Sequence, residues 1–84
     1  MEGGFSVYVI KSAQDGRLYV GMSRNITKRL RAHNGGQVFS TKGYRPWKLV
    51  YQEFLGPRQL ARKREKYYKS GCGKQFIKAI ILPQ

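Results

Sequence analysis

Alternation of apolar and polar side chains marks three short segments of the chain as β-strands. The first, Phe5 to Lys11, has apolar residues on both alternating faces, which predicts a strand covered on both sides. A turn containing Asp15-Gly16 follows, and Arg17 to Gly21 is predicted to form the second strand of a hairpin. Lys48 to Phe54 shows the same alternation and predicts the third strand.

A helical spacing replaces this alternation after the hairpin. The segment from Ile26 to His33 has one face formed by residues at i, i+3, i+4 and i+7, namely Ile26, Arg29, Leu30 and His33. Ser23 and Asn25 precede it and are the candidate caps of its N-terminus. A helix is therefore predicted here, with Arg29 on the face that points toward the sheet.

Two further helices are predicted in the C-terminal third of the chain. Arg58 to Lys69 forms the first, Ser70 to Gly73 is expected to break it, and Lys74 to Leu82 forms the second. The last helix is expected to bury Phe76, Ile77, Ile80 and Ile81. The order β-β-α-β-α-α predicts an α+β fold, a three-stranded antiparallel sheet flanked by helices.

Length and composition narrow the class of protein. The 84 residues predict a single domain, 1–84, with its core at about residues 5–82. The chain lacks a run of roughly 20 apolar residues and a recognisable signal peptide, so we expect a cytoplasmic protein. One cysteine excludes an internal disulfide, and one cysteine with one histidine cannot supply the four ligands of a structural zinc site.

The charge of the chain predicts a polyanionic partner. Seventeen Lys and Arg residues oppose four Asp and Glu residues, which gives a net charge of +13. Aromatic residues are interleaved with these cations, as in Tyr44-Arg45-Pro46-Trp47-Lys48, which favours a folded nucleic-acid surface over a disordered basic tail. The candidate residues for binding the nucleic-acid backbone are Lys28, Arg31, Arg62, Lys63, Arg64 and Lys66.

Glu65 is an acidic residue inside the most basic run of the chain, Arg62 to Lys66. A carboxylate there adds nothing to phosphate binding, so a divalent metal ion is the candidate explanation. Because the other acids are scattered, one ion is expected rather than two, and Mg²⁺ or Mn²⁺ accepts a site with a single protein carboxylate. The alternative is an ordinary surface ion pair between Glu65 and neighbouring cations.

Two tripeptides on the predicted hairpin carry a family resemblance. Ser6-Val7-Tyr8 and Tyr19-Val20-Gly21 resemble the paired motifs of the GIY-YIG nuclease superfamily. Three further segments are similar, in the same order, to small single-domain members that resemble the N-terminal domain of bacterial excinuclease C: Tyr19 to Asn34, Arg45 to Tyr51 and Ala61 to Glu65. The resemblance covers roughly residues 5 to 80 and implies the same α+β fold.

The candidate catalytic residues are Tyr8, Tyr19, Arg29, His33 and Glu65, and for Arg29 and Glu65 the resemblance implies the same roles. Tyr8 would accept a proton from the attacking water, Arg29 would stabilise charge on the phosphate, and Glu65 would bind the metal ion. Tyr19 would orient water or phosphate, and His33 would bind phosphate or assist proton transfer. We expect the surrounding positive charge to lower the pKa of Tyr8 from its ordinary value of about 10.

Each of these residues also has a purely structural interpretation. Either tyrosine fits a half-buried strand position with a satisfied hydroxyl, Arg29 fits a side chain that reaches past the core to water, and His33 fits a helix cap. Ser6 stands where the family usually has glycine, and Lys74 to Gln84 lacks the asparagine of many members.

Two functions remain open at this point. The first is a metal-dependent endonuclease that hydrolyses DNA phosphodiesters, with DNA repair or recombination as its setting, acting as a monomer on DNA rather than RNA. The alternative is a DNA- or RNA-binding module without catalysis. A membrane-surface protein is a third class, but no segment forms an amphipathic helix with one wholly basic face.

Overall fold

The computed structural model describes residues 3–81, and the order of elements within that range is the predicted β-β-α-β-α-α. The elements are β1 (Phe5–Ser12), β2 (Leu18–Ser23), α1 (Ile26–Asn34), β3 (Trp47–Gly56), α2 (Arg58–Lys69) and α3 (Gly71–Ile81). The predicted α+β class is confirmed, and Leu82 lies outside the described residues. Across residues 3–81 each helix is too short or too polar to cross a bilayer.

The sheet has the order β2-β1-β3, with β1 antiparallel to both neighbours. As the central strand, β1 contributes side chains to both faces, and Val7, Tyr8, Val9 and Ile10 are all buried. The prediction of a strand covered on both sides is therefore confirmed.

Each face of the sheet has its own apolar cluster. On one face Val7 and Val9 pack with Ala61 and Tyr68 of α2 and with Ile77 of α3. The other face is covered in part by α1, and its cluster contains Tyr8, Ile10, Trp47, Tyr19, Ile26 and Leu30. Because alternate β1 residues point to opposite faces, the core consists of two layers separated by one strand.

The helix α3 differs from the prediction in where it begins and in what it buries. It starts at Gly71, because Ser70 caps it: the Ser70 hydroxyl accepts a hydrogen bond from the Gly73 amide at 3.2 Å. Of the side chains expected to be buried, Phe76 and Ile80 are 44% and 46% exposed, whereas Ile77 is 1% exposed. The prediction is confirmed for Ile77, against which Ile81 also packs in the core, and was wrong for Phe76 and Ile80, because only one side of α3 packs on the core.

Glu53 on β3 anchors α2 to the sheet. Its carboxylate accepts hydrogen bonds from Arg64 Nε at 3.0 Å, from the Tyr51 hydroxyl at 3.1 Å, and from the Tyr68 hydroxyl. Burial alone would raise the pKa of Glu53, but the hydrogen bonds from Tyr68, Arg64 and Tyr51 outweigh burial and hold the pKa below its ordinary 4.5.

This anchor makes the stability of the fold sensitive to acid. A carboxylate with a lowered pKa binds protons more readily in the unfolded chain, so its contribution is present above the ordinary pKa and is lost as pH falls through the folded-state pKa. We expect the free energy of unfolding to decline below pH 4.5. In the Glu53→Gln variant, the free energy of unfolding should be about 1–3 kcal/mol lower at neutral pH and should decline less as the pH falls. Urea unfolding at several pH values measures both effects, and equal acid slopes in the two proteins would contradict this role.

Candidate active site

The register of the hairpin places Tyr8 and Tyr19 on the same face of the sheet. Tyr8 pairs with Gly21 and Ile10 pairs with Tyr19, and Tyr8 and Ile10 are two residues apart on β1. Because side chains repeat every two residues along a strand, Tyr8 and Tyr19 are diagonal neighbours that face α1. The two tyrosines of the motif therefore belong to one site.

Gly21 makes room for the phenol of Tyr8. A Cβ atom placed on Gly21 would lie 2.5 Å from the Tyr8 hydroxyl oxygen and 2.6 Å from its Cζ atom. Side-chain contacts of that length do not occur, so any larger residue would displace the phenol. The glycine of the second tripeptide thus determines where the tyrosine of the first one lies.

His33 on α1 contacts both tyrosines. Its Nε2 atom lies 2.9 Å from the Tyr8 hydroxyl oxygen, and its ring lies edge-on to Tyr19 with 5.0 Å between centroids. The helix that carries it begins where predicted, because the Asn25 side chain accepts a hydrogen bond from the Lys28 amide at 3.0 Å. Both Tyr8 and His33 are buried, at 1% and 0% exposure.

Thr41 is part of the site, although the sequence did not indicate it. Its hydroxyl oxygen lies 2.8 Å from Nδ1 of His33 and 3.3 Å from the carbonyl oxygen of Val38, and the residue is fully buried. It lies between α1 and β3, where the sequence pattern predicts neither a helix nor a strand. A buried threonine in such a segment has no periodic signal, so only the structure reveals it.

Burial changes the acidity of the Tyr8–His33 pair. The pKa of Tyr8 is raised, first by burial, while the neighbouring Arg29 opposes the rise and the charges of Tyr19 and Glu65 add to it. The pKa of His33 is lowered, first by burial and then by the charge of Arg29. The expectation that positive charge would lower the Tyr8 pKa was wrong, because desolvation of the phenol outweighs the cations.

Arg29 lies at the open rim of this pair. The prediction placed it on the helix face that points toward the sheet, but its side chain is exposed. It is nevertheless close enough to shift the pKa values of both Tyr8 and His33. Its interaction with the Tyr8 hydroxyl uses only part of the guanidinium, whose five N–H donors also suit a bound oxyanion.

Glu65 approaches the same site from α2. Its side chain is only 18% exposed, and its Oε2 lies 3.3 Å from Nζ of Lys69, four residues further along the helix. That Lys69 ammonium lies 6.0 Å from the ring centroid of Tyr19, and the charge of Glu65 acts on Tyr8. Glu65 thus forms an ion pair with a neighbouring cation, which was the alternative to a metal site, and it also lies near the two tyrosines.

The site offers a metal ion one carboxylate. Across residues 3–81 no three side chains of His, Cys, Asp or Glu come together as a ligand set. Glu53, the other strand carboxylate, is engaged by Arg64 and two tyrosines. A single hard oxygen donor fits a Mg²⁺ or Mn²⁺ ion that keeps most of its waters. The Lys69 side chain that pairs with Glu65 is half exposed, so the pair is not enclosed by the core.

The predicted phosphate-binding residues are spread over different surfaces. Lys28 and Arg31 are exposed on α1, and Arg62, Lys63 and Lys66 are exposed on α2. With about 100° per residue, Arg62 and Lys69 flank Glu65 on one side of α2, whereas Lys63 lies on the opposite side. Arg64 is partly buried and bonds to Glu53.

A groove with a basic rim adjoins the site between β2 and α3. It has a volume of about 610 Å³, and its cations are Arg17, Lys69, Lys74 and Lys78. Asp15 also borders it but is paired with Arg17 at 2.8 Å. Tyr19 and Lys69 belong to both the groove and the tyrosine site, so the two are continuous.

A hairpin with two facing tyrosines, an arginine on the next helix and a glutamate on α2 is the arrangement that the resemblance to the GIY-YIG nucleases implies. Residues 4–76 match the GIY-YIG catalytic domain, and the chain belongs to this family. Family membership supports a nuclease-like function.

Proteins of the UPF0213 group are similar to most of the chain. The chain is 40% identical over 75 residues to a UPF0213 protein of Clostridium perfringens, covering 88% of this chain and 80% of that protein. It is also 40% identical over 75 residues to one from Staphylococcus saprophyticus and 42% identical over 75 residues to one from Staphylococcus aureus, each time covering 88% of this chain and 90% of the relative. The similarity thus extends over nearly the whole of these short proteins.

Proposed function

We propose that this protein is a divalent-metal-dependent endonuclease that hydrolyses DNA phosphodiester bonds, with a place in DNA repair or recombination in the cytoplasm. The observation that carries the proposal is the convergence of Tyr8, Tyr19, Arg29, His33 and Glu65, which come from two strands and two helices. A fold that needed these residues only for packing would not direct a phenol, a guanidinium and a carboxylate to one place.

Tyr8 and His33 together supply a path for the proton of the attacking water. A phenol with a raised pKa is a poor base by itself, but its hydroxyl is 2.9 Å from Nε2 of a histidine that burial keeps neutral. Tyr8 takes a proton from water while its own proton passes to His33. The water oxygen bonds to phosphorus, the bond to the leaving oxygen breaks, and that oxygen takes a proton from solvent.

Arg29 and Glu65 act on the charge of the phosphate. The exposed guanidinium of Arg29 donates to the non-bridging oxygens, on which negative charge increases in the transition state. Glu65 would hold a Mg²⁺ or Mn²⁺ ion, which when bound neutralises charge on the phosphate and the leaving oxygen. Lys69 supplies the positive charge beside Glu65 when the carboxylate has no other partner.

The groove between β2 and α3 is the proposed path of the nucleic-acid strand beyond the scissile phosphate. Its four cations line a surface that is continuous with Tyr19, and its one acid is neutralised by Arg17. Positive side chains spaced along a groove bind successive phosphates and release counterions. We therefore expect the protein to act as a monomer whose single surface holds the strand.

The test of catalysis is nicking of supercoiled and branched DNA with Mg²⁺ or Mn²⁺. We expect the wild-type protein to cut, Glu65→Ala to be about 10²–10⁴-fold slower, and Arg29→Ala about 10²–10³-fold slower, because each variant loses charge stabilisation in the transition state. Lys42→Ala, which changes an exposed cation outside the site and outside the predicted phosphate-binding residues, is the control and should cut at the wild-type rate.

The outcome also separates the two functions. Unchanged cutting by Glu65→Ala and Arg29→Ala would reject the assigned site. Binding without any cutting would favour the non-catalytic module, which Ser6 at the usual glycine of the first motif also favours.

The test of the groove compares substitutions with equal charge change. Lys74→Glu and Lys78→Glu should weaken binding of a labelled DNA oligonucleotide and reduce the salt dependence of log K by about one contact each. Lys63→Glu removes the same charge from the far side of α2, so it should weaken binding less. Fluorescence anisotropy at several salt concentrations gives both values, and equal losses in all three variants would mean that net charge alone determines binding.

A further inference from the structure

Thr41 is held in place independently of the site that it touches. Its amide donates to the Val38 carbonyl at 3.1 Å, and its own carbonyl accepts from Nε1 of Trp47 at 2.8 Å and from the Tyr44 amide at 3.1 Å. Trp47 is itself fixed to the end of α1, because its amide donates to the Asn34 side chain at 2.6 Å. The Thr41 hydroxyl therefore has a fixed position against the His33 ring.

We propose that Thr41 is a positioning residue that keeps the imidazole proton of His33 on Nδ1, so that Nε2 is free to accept the proton of Tyr8.

The direction of each hydrogen bond follows from the number of protons available. Among the described residues, Nε2 of His33 is the acceptor within hydrogen-bond distance of the buried Tyr8 hydroxyl, so the Tyr8 proton points to it at 2.9 Å. A neutral imidazole carries one N–H, which is then on Nδ1 and donates to the Thr41 oxygen at 2.8 Å. The Thr41 hydroxyl proton then points to the Val38 carbonyl at 3.3 Å, which also accepts from the Thr41 and Lys42 amides.

The surroundings of His33 keep the ring neutral. The groups that face it are Tyr8 from β1, Tyr19 from β2 and Arg29 from its own helix, and each is neutral or positive at pH 7. Burial and the charge of Arg29 lower the pKa of His33 from 6.5. Within residues 3–81 no carboxylate bonds to the His33 ring, so the Thr41 oxygen holds the proton on Nδ1, as an orienting carboxylate does in other histidine sites.

The tautomer is measured directly in the free protein. A long-range ¹H–¹⁵N correlation spectrum of histidine-labelled protein at pH 7.5 shows which ring nitrogen of His33, the only histidine, carries the proton. We expect Nδ1–H in the wild type and in Thr41→Ser, which keeps the hydroxyl. Thr41→Val has the same shape but no acceptor, and should move the proton to Nε2. An Nε2–H tautomer in the wild type, or no change in Thr41→Val, would overturn the inference.

Kinetics give a second measurement, which rests on the proposed nuclease function. Thr41→Val should lower kcat on the order of 10²-fold with KM unchanged, because proton transfer is impaired while substrate contacts remain. Thr41→Ser should restore kcat, and a thermal unfolding scan shows that each variant is folded. An unchanged kcat in Thr41→Val would overturn the inference. A wild-type protein that cuts nothing would overturn the proposed function, while the imidazole spectra would still decide the role of Thr41.

Discussion

The hydrogen bond between the Tyr8 hydroxyl and Nε2 of His33 joins the central strand to α1 inside the core, and the rest of the site is arranged around it. Both partners are buried in the free protein, where each satisfies a polar atom of the other. In the described part of the chain every buried side-chain nitrogen or oxygen has a hydrogen-bond partner. Removing one of them would leave the other unsatisfied, which links the packing of the fold to the chemistry of the site.

The residues on different sides of α2 make different contacts, although they belong to one basic run of the sequence. The side with Ala61 and Tyr68 is buried in the core, and Arg64 bonds to Glu53 on β3. The side with Glu65 and Lys69 reaches the tyrosines near the edge strand β2. A helix with seven charged residues among twelve is thereby fixed by a few apolar contacts and one ion pair to the sheet, while the remaining cations stay available to a polyanion.

Periodicity in the sequence was sufficient for the order of the elements and for the burial of both faces of β1, because alternation and helical spacing are local signals. It also placed His33 and Arg29 one turn apart on α1. It could not fix the strand register, and so left open whether Tyr8 and Tyr19 share a face. Tertiary contacts, which periodicity does not reveal, determine three further features. They are the burial that raises the Tyr8 pKa, the exposure of Phe76 and the position of Thr41. The charge pattern singled out Glu65 and the family resemblance implied the same role, whereas its contact with Lys69 came from the structure.

The central claim is that the Tyr8 hydroxyl transfers a proton in phosphodiester hydrolysis, and Tyr8→Phe tests it most directly because it removes one oxygen and keeps the ring. The measurement is the rate of cleavage of a labelled branched DNA with Mg²⁺, together with the affinity for the same DNA. The account predicts unchanged affinity and a rate lower by about 10²–10⁴-fold. A Tyr8→Phe protein that cuts at the wild-type rate would contradict it.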